Sequence, residues 1–145
     1  MPIDSLLLLD TNVVLHLVRN SGTGQALERQ YEISKRRDVP IISIVTVGEA
    51  MAFAEYRGWG ESKRTTLSEL LHQLVVVDIR LDSVLRNYAS IHSQSLKAGK
   101  KLGDNDKWIA ATAAASGAYL LTTDRDFEPL LGAVIQGEWF DPTTK

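Results

Sequence analysis

The sequence contains no cysteine and only three histidines, and these shortages restrict its chemistry. Without cysteine the chain forms no disulfide, no thiolate zinc site and no cysteine nucleophile. The histidines, His16, His72 and His92, are scattered and form no HxxxH pair, which argues against a histidine-built zinc site. A metal bound by this chain would therefore have oxygen ligands, which favours Mg²⁺ or Mn²⁺.

The chain also lacks a large excess of charge of one sign and a long apolar run. Its formal net charge is −2, so no general positive field draws it onto nucleic acid, and a phosphate partner must be bound locally. No uncharged stretch is long enough to span a membrane, and the run 109–123 is interrupted by Ser116 and Gly117. The acidic, lysine-free start is unlike a signal peptide, and we expect a cytoplasmic protein.

The remaining composition is that of an ordinary globular protein. The 145 residues are 44% hydrophobic and 23% charged, which suffices to bury one full core. We therefore expect a single domain over residues 1–145.

Short apolar runs alternate with stretches of helical spacing. Apolar residues that recur every three or four positions, such as Leu67, Leu70 and Leu71, indicate amphipathic helices. The runs that predict buried strands are 6–9, 41–47, 74–79, 119–121 and 133–135. The resulting order, β, α, α, β, α, α, β, α, α, β, short α, β, requires crossover connections. We predict an α/β fold of three layers, α/β/α, in which the middle layer is a mainly parallel five-stranded sheet.

Four acidic residues lie where this fold would bring them together. Asp10 follows the first strand, Glu49 lies in the first turn of the helix after the second strand, Asp106 opens the alanine-rich helix, and Asp124 follows the fourth strand. Residues just beyond the carboxyl ends of parallel strands line one edge of the sheet, and ligands bind there where the strand order reverses. Clustered carboxylates repel one another, so such a crevice favours a divalent cation.

Each acid also has a purely structural explanation. Asp10 and Asp124 suit helix N-caps or Asx turns, and the helix dipole favours Glu49 or Asp106 near a helix start. Capping alone does not require both Asp10 and Asp124 to follow apolar strands. The joint pattern therefore favours a functional site.

Four segments follow one another in a fixed order: LLLLDTNVVL at 6–15, SIVTVGEA at 43–50, GDNDKWIAATA at 103–113 and LLTTDRDF at 120–127. In order and spacing they resemble the PIN-domain nucleases, particularly the VapC-like ribonuclease toxins of prokaryotic toxin–antitoxin pairs. The resemblance covers almost the whole chain. It implies a PIN-like fold, metal-dependent hydrolysis of RNA phosphodiester bonds, an antitoxin partner and a homodimer.

The resemblance also implies roles for individual residues. Asp10 and Asp106 are the expected direct ligands of Mg²⁺ or Mn²⁺, and Asp124 is a further ligand or a ligand at a second metal site. Glu49 positions water or acts as the general base. The expected supporting residues are Thr11, Asn12, Thr46 and Thr122. Whether one or two metal ions bind stays open.

Neighbouring acids leave two of these assignments open. Asp104 stands two residues before Asp106, and Asp126 stands two residues after Asp124. We favour Asp106 because it directly precedes the Lys-Trp-Ile-Ala-Ala run, and we predict Asp104 as the N-cap of that helix. We favour Asp124 because it comes first after the threonines, whereas Asp126 adjoins Phe127 in the following turn.

An acidic site repels RNA unless cations surround it. The candidate rim residues are Arg57, Lys63, Arg64, Lys97, Lys100, Lys101 and Lys107. Among them we predict Arg57, Lys100, Lys101 and Lys107 as substrate-binding residues. Trp59 could stack a base or fill a dimer contact, and the sequence favours neither.

Three other functions fit the pattern less well. A catalytically silent PIN-like binding or scaffold module is the main alternative, but such a module has no need for four mutually repelling acids. An aspartyl-phosphate enzyme usually has a second acid two residues after the first, where this chain has Asn12. A nucleotide-binding Rossmann domain would have a glycine-rich turn after the first strand.

Overall fold

The computed structural model of the protein describes residues 5–99 and 102–143, and its elements follow the predicted order. The strands are β1 (Leu7–Leu9), β2 (Ile41–Ser43), β3 (Val75–Val77), β4 (Tyr119–Thr122) and β5 (Gln136–Trp139). The helices are α1 (Thr11–Arg19), α2 (Gly22–Tyr31), α3 (Ile44–Tyr56), α4 (Glu61–Gln73), α5 (Asp82–Lys97) and α6 (Asp104–Ser116). Short 3-10 helices cover Ile33–Lys35 and Arg125–Leu130.

The five strands form one sheet in the order β3-β2-β1-β4-β5, and every pair is parallel. The chain builds outward from β1 to β3 and then returns to the other side of β1. The strand order therefore reverses between β1 and β4, which is where ligands bind in open α/β sheets. This arrangement confirms the predicted five-stranded α/β fold.

Helices cover both faces of the sheet and explain the uninterrupted leucine run of β1. Leu7 and Leu9 pack with residues of α1 to α4, whereas Leu8 packs with residues of α5 and α6. Successive strand residues point to opposite faces, so a strand covered on both sides has no polar position. Within residues 5–99 and 102–143, no helix combines the length and apolar character needed to cross a membrane.

The second apolar run contains a strand end that the sequence pattern did not indicate. We expected a strand over 41–47, but β2 ends at Ser43 and α3 begins at Ile44. The Ser43 side chain is buried and accepts the N–H of Val45 at 3.1 Å, which makes Ser43 the N-cap of α3. Glu49 consequently lies in the second turn of α3 and not in the first.

The last strand is displaced from its predicted position. The run 133–135 precedes β5, which instead spans Gln136–Trp139. Because β5 is an edge strand paired with β4 alone, its side chains are half-buried or exposed and show no apolar run. Ile135 is buried in a core cluster with residues of α5 and α6, which accounts for an apolar residue just before the strand.

Candidate active site

Two of the predicted acids follow the two strands at which the strand order reverses. Asp10 comes directly after β1, and its N–H donates to the carbonyl of Leu121 in β4 at 3.0 Å. Asp124 comes two residues after Thr122, the last residue of β4. The pairing of β1 with β4 therefore brings these carboxylates to the same point of the sheet edge.

Two helices complete the acidic crevice. Glu49 reaches it from α3, and Asp106 reaches it from the first turn of α6. The crevice has a volume of about 320 Å³ and is lined by Asp10, Thr11, Asn12, Leu15, Glu49, Phe53, Asp106 and Asp124. All four acids predicted from the sequence thus lie around one cavity.

Asp10 is buried, and both of its carboxylate oxygens accept hydrogen bonds. Oδ1 accepts the N–H of Thr11 at 2.8 Å, and Oδ2 accepts the hydroxyl of Thr122 at 2.7 Å. The pKa of Asp10 is raised to about 6, chiefly by burial. The two hydrogen bonds lower the pKa in part, and the charges of Asp124 and Glu49 contribute to the rise. Asp10 is thus an acid held in place without a cationic partner among the described residues.

Asp106 has the more strongly raised pKa of the two. The pKa of its carboxyl is raised to about 7, first by burial and then by the charges of the surrounding acids Asp10, Asp124, Glu49 and Asp126. One carboxylate oxygen of Asp106 lies within 4.8 Å of oxygens of Asp124 and Asp126. Two carboxyls with raised pKa values in one crevice are typical of functional sites.

Glu49 is oriented from both sides of the crevice. The Thr11 hydroxyl donates to Oε1 at 2.6 Å, and the Asn105 amide donates to Oε2 at 3.1 Å. The Thr46 hydroxyl is buried 3.1 Å from that of Thr11. Of the predicted supporting residues, Thr11 contacts Glu49 directly and Thr46 contacts Thr11. The contact of Asn105 with Glu49 was not predicted.

Of the other two predicted supporting residues, Thr122 is buried behind Asp10 and Asn12 lines the crevice. The buried Thr122 hydroxyl donates to the Asp10 carboxylate and accepts the backbone N–H of Asp124 at 2.9 Å, so one threonine contacts both residues. Asn12 is an exposed residue of the crevice lining.

The two neighbouring acids behave differently from our expectations. The N-cap of α6 is Gly103 and not Asp104, which makes no side-chain capping bond, so the predicted capping role is wrong. Asp104 instead accepts the Tyr88 hydroxyl at 3.4 Å, because α6 starts against α5. Asp126 lies in the 3-10 helix Arg125–Leu130 and not in a turn, and its carboxylate joins the group formed by Asp106 and Asp124.

This acidic group has the donor set of a hard-cation site. Asp106, Asp124 and Asp126 each offer a carboxylate oxygen, and Asp10 adds a buried carboxylate to the same crevice. Divalent cations such as Mg²⁺ and Mn²⁺ prefer oxygen ligands, and a bound cation would offset the mutual repulsion of these groups. The residues present therefore fit a divalent metal ion.

The predicted substrate-binding cations have different surroundings. Lys107 is only 6% exposed, and its Nζ lies 3.0 Å from Nδ1 of His92 and 3.7 Å from Asp104. It packs between α5 and α6, so its expected position on an exposed rim is wrong. Arg57 is exposed, and its guanidinium lies 5.2 Å from the centre of the Phe53 ring at the crevice. Lys100 and Lys101 lie outside the described residues.

Comparison with known proteins connects this geometry to a family. The family model described as PIN domain matches residues 7–130. Ribonuclease VapC2 of Haemophilus influenzae is 26% identical over 125 residues, which cover 86% of this chain and 91% of that protein.

Two solved structures have the same fold. VapBC2 from Rickettsia felis, bound to a DNA fragment from its promoter, aligns with a TM-score of 0.77 at 20% identity and covers 94% of this chain and 99% of that one. VapBC-5 from Mycobacterium tuberculosis, a member of the VapBC family of toxin–antitoxin systems, aligns with a TM-score of 0.68 at 22% identity over the same shares of the two chains.

Proposed function

The chain belongs to the PIN-domain family, and from this membership we propose that it is a ribonuclease that hydrolyses RNA phosphodiester bonds with the help of Mg²⁺ or Mn²⁺. The observation that carries the proposal is the convergence of four acids, two of them with raised pKa values, at the reversal point of the sheet. The ribonuclease name of the Haemophilus influenzae relative supports RNA as the substrate.

Three aspartates are the proposed metal ligands. Asp10, Asp106 and Asp124 come from three separate elements, and Asp126 is close enough to Asp124 to share the same ion or hold a second one. When bound, a divalent ion supplies Lewis-acid chemistry, since it neutralises charge on the phosphoryl group under attack. The Thr122 hydroxyl and the Thr11 N–H would hold Asp10 in its ligating orientation.

Glu49 is the proposed general base. Hydrogen bonds to both of its oxygens, from Thr11 and Asn105, fix the plane of the carboxylate at the crevice. A carboxylate fixed in this way can orient a water molecule toward a phosphate and accept its proton. No side-chain nucleophile is required for such direct hydrolysis.

We further propose that the ribonuclease is the toxin of a toxin–antitoxin pair, acts as a homodimer and works in the cytoplasm. The support for an antitoxin is the fold shared with a member of the VapBC family of toxin–antitoxin systems. Binding by an antitoxin protein would explain how a cell tolerates a nuclease directed at its own RNA.

The test is cleavage of a panel of structured RNAs by the purified chain, in Mg²⁺, in Mn²⁺ and in a chelator. Asp106→Asn and Asp104→Asn form a matched pair on one helix, because only Asp106 lines the crevice. We expect Asp106→Asn to lose cleavage by orders of magnitude and to bind Mn²⁺ more weakly by calorimetry, with Asp104→Asn close to wild type.

The contrary outcomes are distinct. Mn²⁺ binding without cleavage of any RNA would favour the silent PIN-like binding module. Cleavage that survives in chelator, or that is lost in Asp104→Asn but not in Asp106→Asn, would contradict the proposed site.

A further inference from the structure

One wall of the acidic crevice combines an aromatic ring with two arginines. Phe53 of α3 lines the crevice next to the acids. The guanidinium carbon of Arg19, at the end of α1, lies 5.5 Å from the centre of that ring, and that of Arg57 lies 5.2 Å from it. Two cations from separate parts of the chain therefore share one aromatic ring beside the site.

The same arrangement continues away from the acids. The Trp59 ring meets the Phe53 ring edge-on, with the ring centres 5.7 Å apart, and Nζ of Lys63 lies 5.4 Å from the centre of the Trp59 ring. Together Arg19, Phe53, Arg57, Trp59 and Lys63 form what we call the cationic wall. Its three charged residues are all exposed.

The charges of the cationic wall are not used in ion pairs. In the described part of the chain, no carboxylate lies within ion-pair distance of Arg19, Arg57 or Lys63. Arg64 nearby differs, since it pairs with Glu55 at 3.4 Å and donates to the Trp59 carbonyl. The aromatic rings hold the wall's cations by cation–π contact. Nε of Arg19 also donates to the carbonyl of Leu15 at 3.3 Å. The other N–H groups of the three cations have no acceptor among the described residues and can bind an anion.

Among the described residues, no ion pair joins the cationic wall to the acids of the crevice. The neighbouring charges that shift the pKa of Asp106 all belong to carboxylates, and all of them raise it. Unpaired arginines beside an uncompensated acidic crevice are suited to a ligand that is anionic and extended. A nucleic-acid backbone has this character, because each of its phosphates can accept two parallel N–H donors from an arginine.

We propose that the cationic wall binds the phosphates on one side of the scissile bond and so directs an RNA strand into the acidic crevice. This inference rests on the proposed ribonuclease function. Arg19 and Arg57, on the ring that lines the crevice, contact neighbouring phosphates of the strand, and Lys63 contacts a phosphate farther out. Because these are backbone contacts, they position the strand without selecting its sequence.

The experiment measures binding of a fluorescein-labelled single-stranded RNA by anisotropy, as a function of salt. It uses the full chain carrying Asp106→Asn, with Mg²⁺ present, so that the RNA is not cut. We expect Arg19→Ala and Arg57→Ala each to weaken binding several-fold and to reduce the salt slope by about 0.7, the loss of one phosphate contact on a single strand. Arg57→Lys keeps the charge and should restore most of the slope.

The matched control is Arg37→Ala. Arg37 is exposed and precedes β2, so it lies at the amino edge of the sheet, opposite the acids. If Arg19→Ala and Arg57→Ala bind RNA like Arg37→Ala, the role of the cationic wall is refuted, whatever the cleavage activity. If the wild-type chain cleaves no RNA but the two variants still lose binding, the ribonuclease proposal fails and the binding surface stands.

Kinetics of variants with an intact acidic site give a second readout. Loss of a substrate contact that is made equally before and during the reaction raises KM more than it lowers kcat. We expect Arg19→Ala and Arg57→Ala to raise KM several-fold, with melting temperatures near wild type. A loss confined to kcat would contradict a binding role and would indicate that the arginines act on the reacting group.

Discussion

Asp10 has a structural and a chemical role at once. It is the N-cap of α1 through the N–H of Thr11, and it also lines the acidic crevice beside Asp106 and Asp124. Its Oδ2 accepts a hydrogen bond from Thr122, but its charge is not matched by a cation among the described residues. Capping accounts for the hydrogen bond that Oδ1 accepts. The position of Asp10 in the acidic crevice accounts for a charged residue at this point of the chain.

The substitution Asp10→Asn separates these two roles. Asparagine still accepts the N–H of Thr11 as an N-cap, but it carries no charge to bind a cation. We expect metal-dependent RNA cleavage to be lost while the free energy of unfolding in chelator is unchanged or rises by about 1 kcal/mol, because a desolvated charge is removed. Cleavage assays and urea denaturation measure the two effects.

The comparison variant is Asp10→Ala, which removes the cap as well and should cost about 1 kcal/mol of stability relative to Asp10→Asn. If Asp10→Asn unfolded readily and yet cleaved RNA in Mn²⁺, Asp10 would be a cap only.

Asn105 leads to a prediction about Glu49. Loss of its amide frees Oε2 of Glu49, while the Thr11 hydroxyl still holds Oε1. We expect Asn105→Ala to lower kcat by about tenfold with KM and metal affinity little changed. The reason is that the Asn105 amide orients the Glu49 carboxylate and does not itself bind the substrate or the metal. Asn105→Gln, whose amide can reach the same oxygen, should recover part of kcat.

The readouts are steady-state cleavage kinetics and Mn²⁺ titration of the purified variants. An unchanged kcat in Asn105→Ala would show that the hydrogen bond from Thr11 alone orients Glu49.

At the residue scale, the sequence allowed the acids to be predicted better than their surroundings. Asp10 and Asp124 are recognisable because they follow buried strands, and such positions share one edge of a parallel sheet. Asn105 and Arg19 carry no such pattern, since an exposed polar residue in a helix is ordinarily solvated. Their contacts with Glu49 and Phe53 depend on how α1, α3 and α6 pack, which spacing along one helix does not reveal.

At the scale of single elements, the run 41–47 shows where periodicity stops being informative. Continuous apolar sequence is equally consistent with a buried strand and with a helix that packs against a sheet. The buried hydroxyl of Ser43 determines the boundary, because it caps the helix three residues into the run. The shift carries Glu49 into the second turn, where it meets both Thr11 and Asn105.

Strand β5 provides an element-scale prediction through Gly137. A Cβ at this position would collide with the backbone oxygen and the Cβ of Leu120, its partner in β4. We expect Gly137→Ala to lower the free energy of unfolding by about 1–3 kcal/mol through overpacking. Because β4 leads directly to Thr122 and Asp124, cleavage activity should fall as well.

Gly48→Ala is the matched control for this substitution. Gly48 lies inside α3 with open space around its Cβ position, so alanine should raise the free energy of unfolding by about 0.5–1 kcal/mol. Urea denaturation of both variants tests the pair. Equal stability of Gly137→Ala and wild type would mean that β5 is able to shift away from β4.

At the scale of the whole molecule, element order could be predicted but strand neighbours could not. The alternation of apolar runs and helices requires crossovers and hence a parallel sheet. The apolar runs do not indicate that β4 pairs with β1, because strand pairing depends on packing between segments that are distant in sequence. That return brings Asp10 and Asp124 together, so the crevice is a property of the topology and not of any one segment.

The assembled crevice makes the stability of the whole molecule depend on pH. Asp10 and Asp106 have pKa values of about 6 and about 7 in the folded chain, against 3.8 for an ordinary aspartate. A raised pKa in the folded state means that protonation favours folding. Without metal, the contribution of these groups is therefore greatest below about pH 4 and is lost as the pH rises through 6 and 7.

A divalent cation should reverse this loss, since it binds the ionised acids and only in the folded chain. We expect the free energy of unfolding in chelator to fall between pH 4 and pH 7, and Mn²⁺ at about a hundred times its dissociation constant to restore roughly 2.7 kcal/mol at neutral pH. The double variant Asp10→Asn/Asp106→Asn should show neither the fall nor the restoration, because its crevice carries no titrating ligand at these positions. Urea midpoints across this pH range, with Mn²⁺ and with chelator, measure both effects. Equal Mn²⁺ stabilisation of the double variant and the wild type would place the metal away from the acidic crevice.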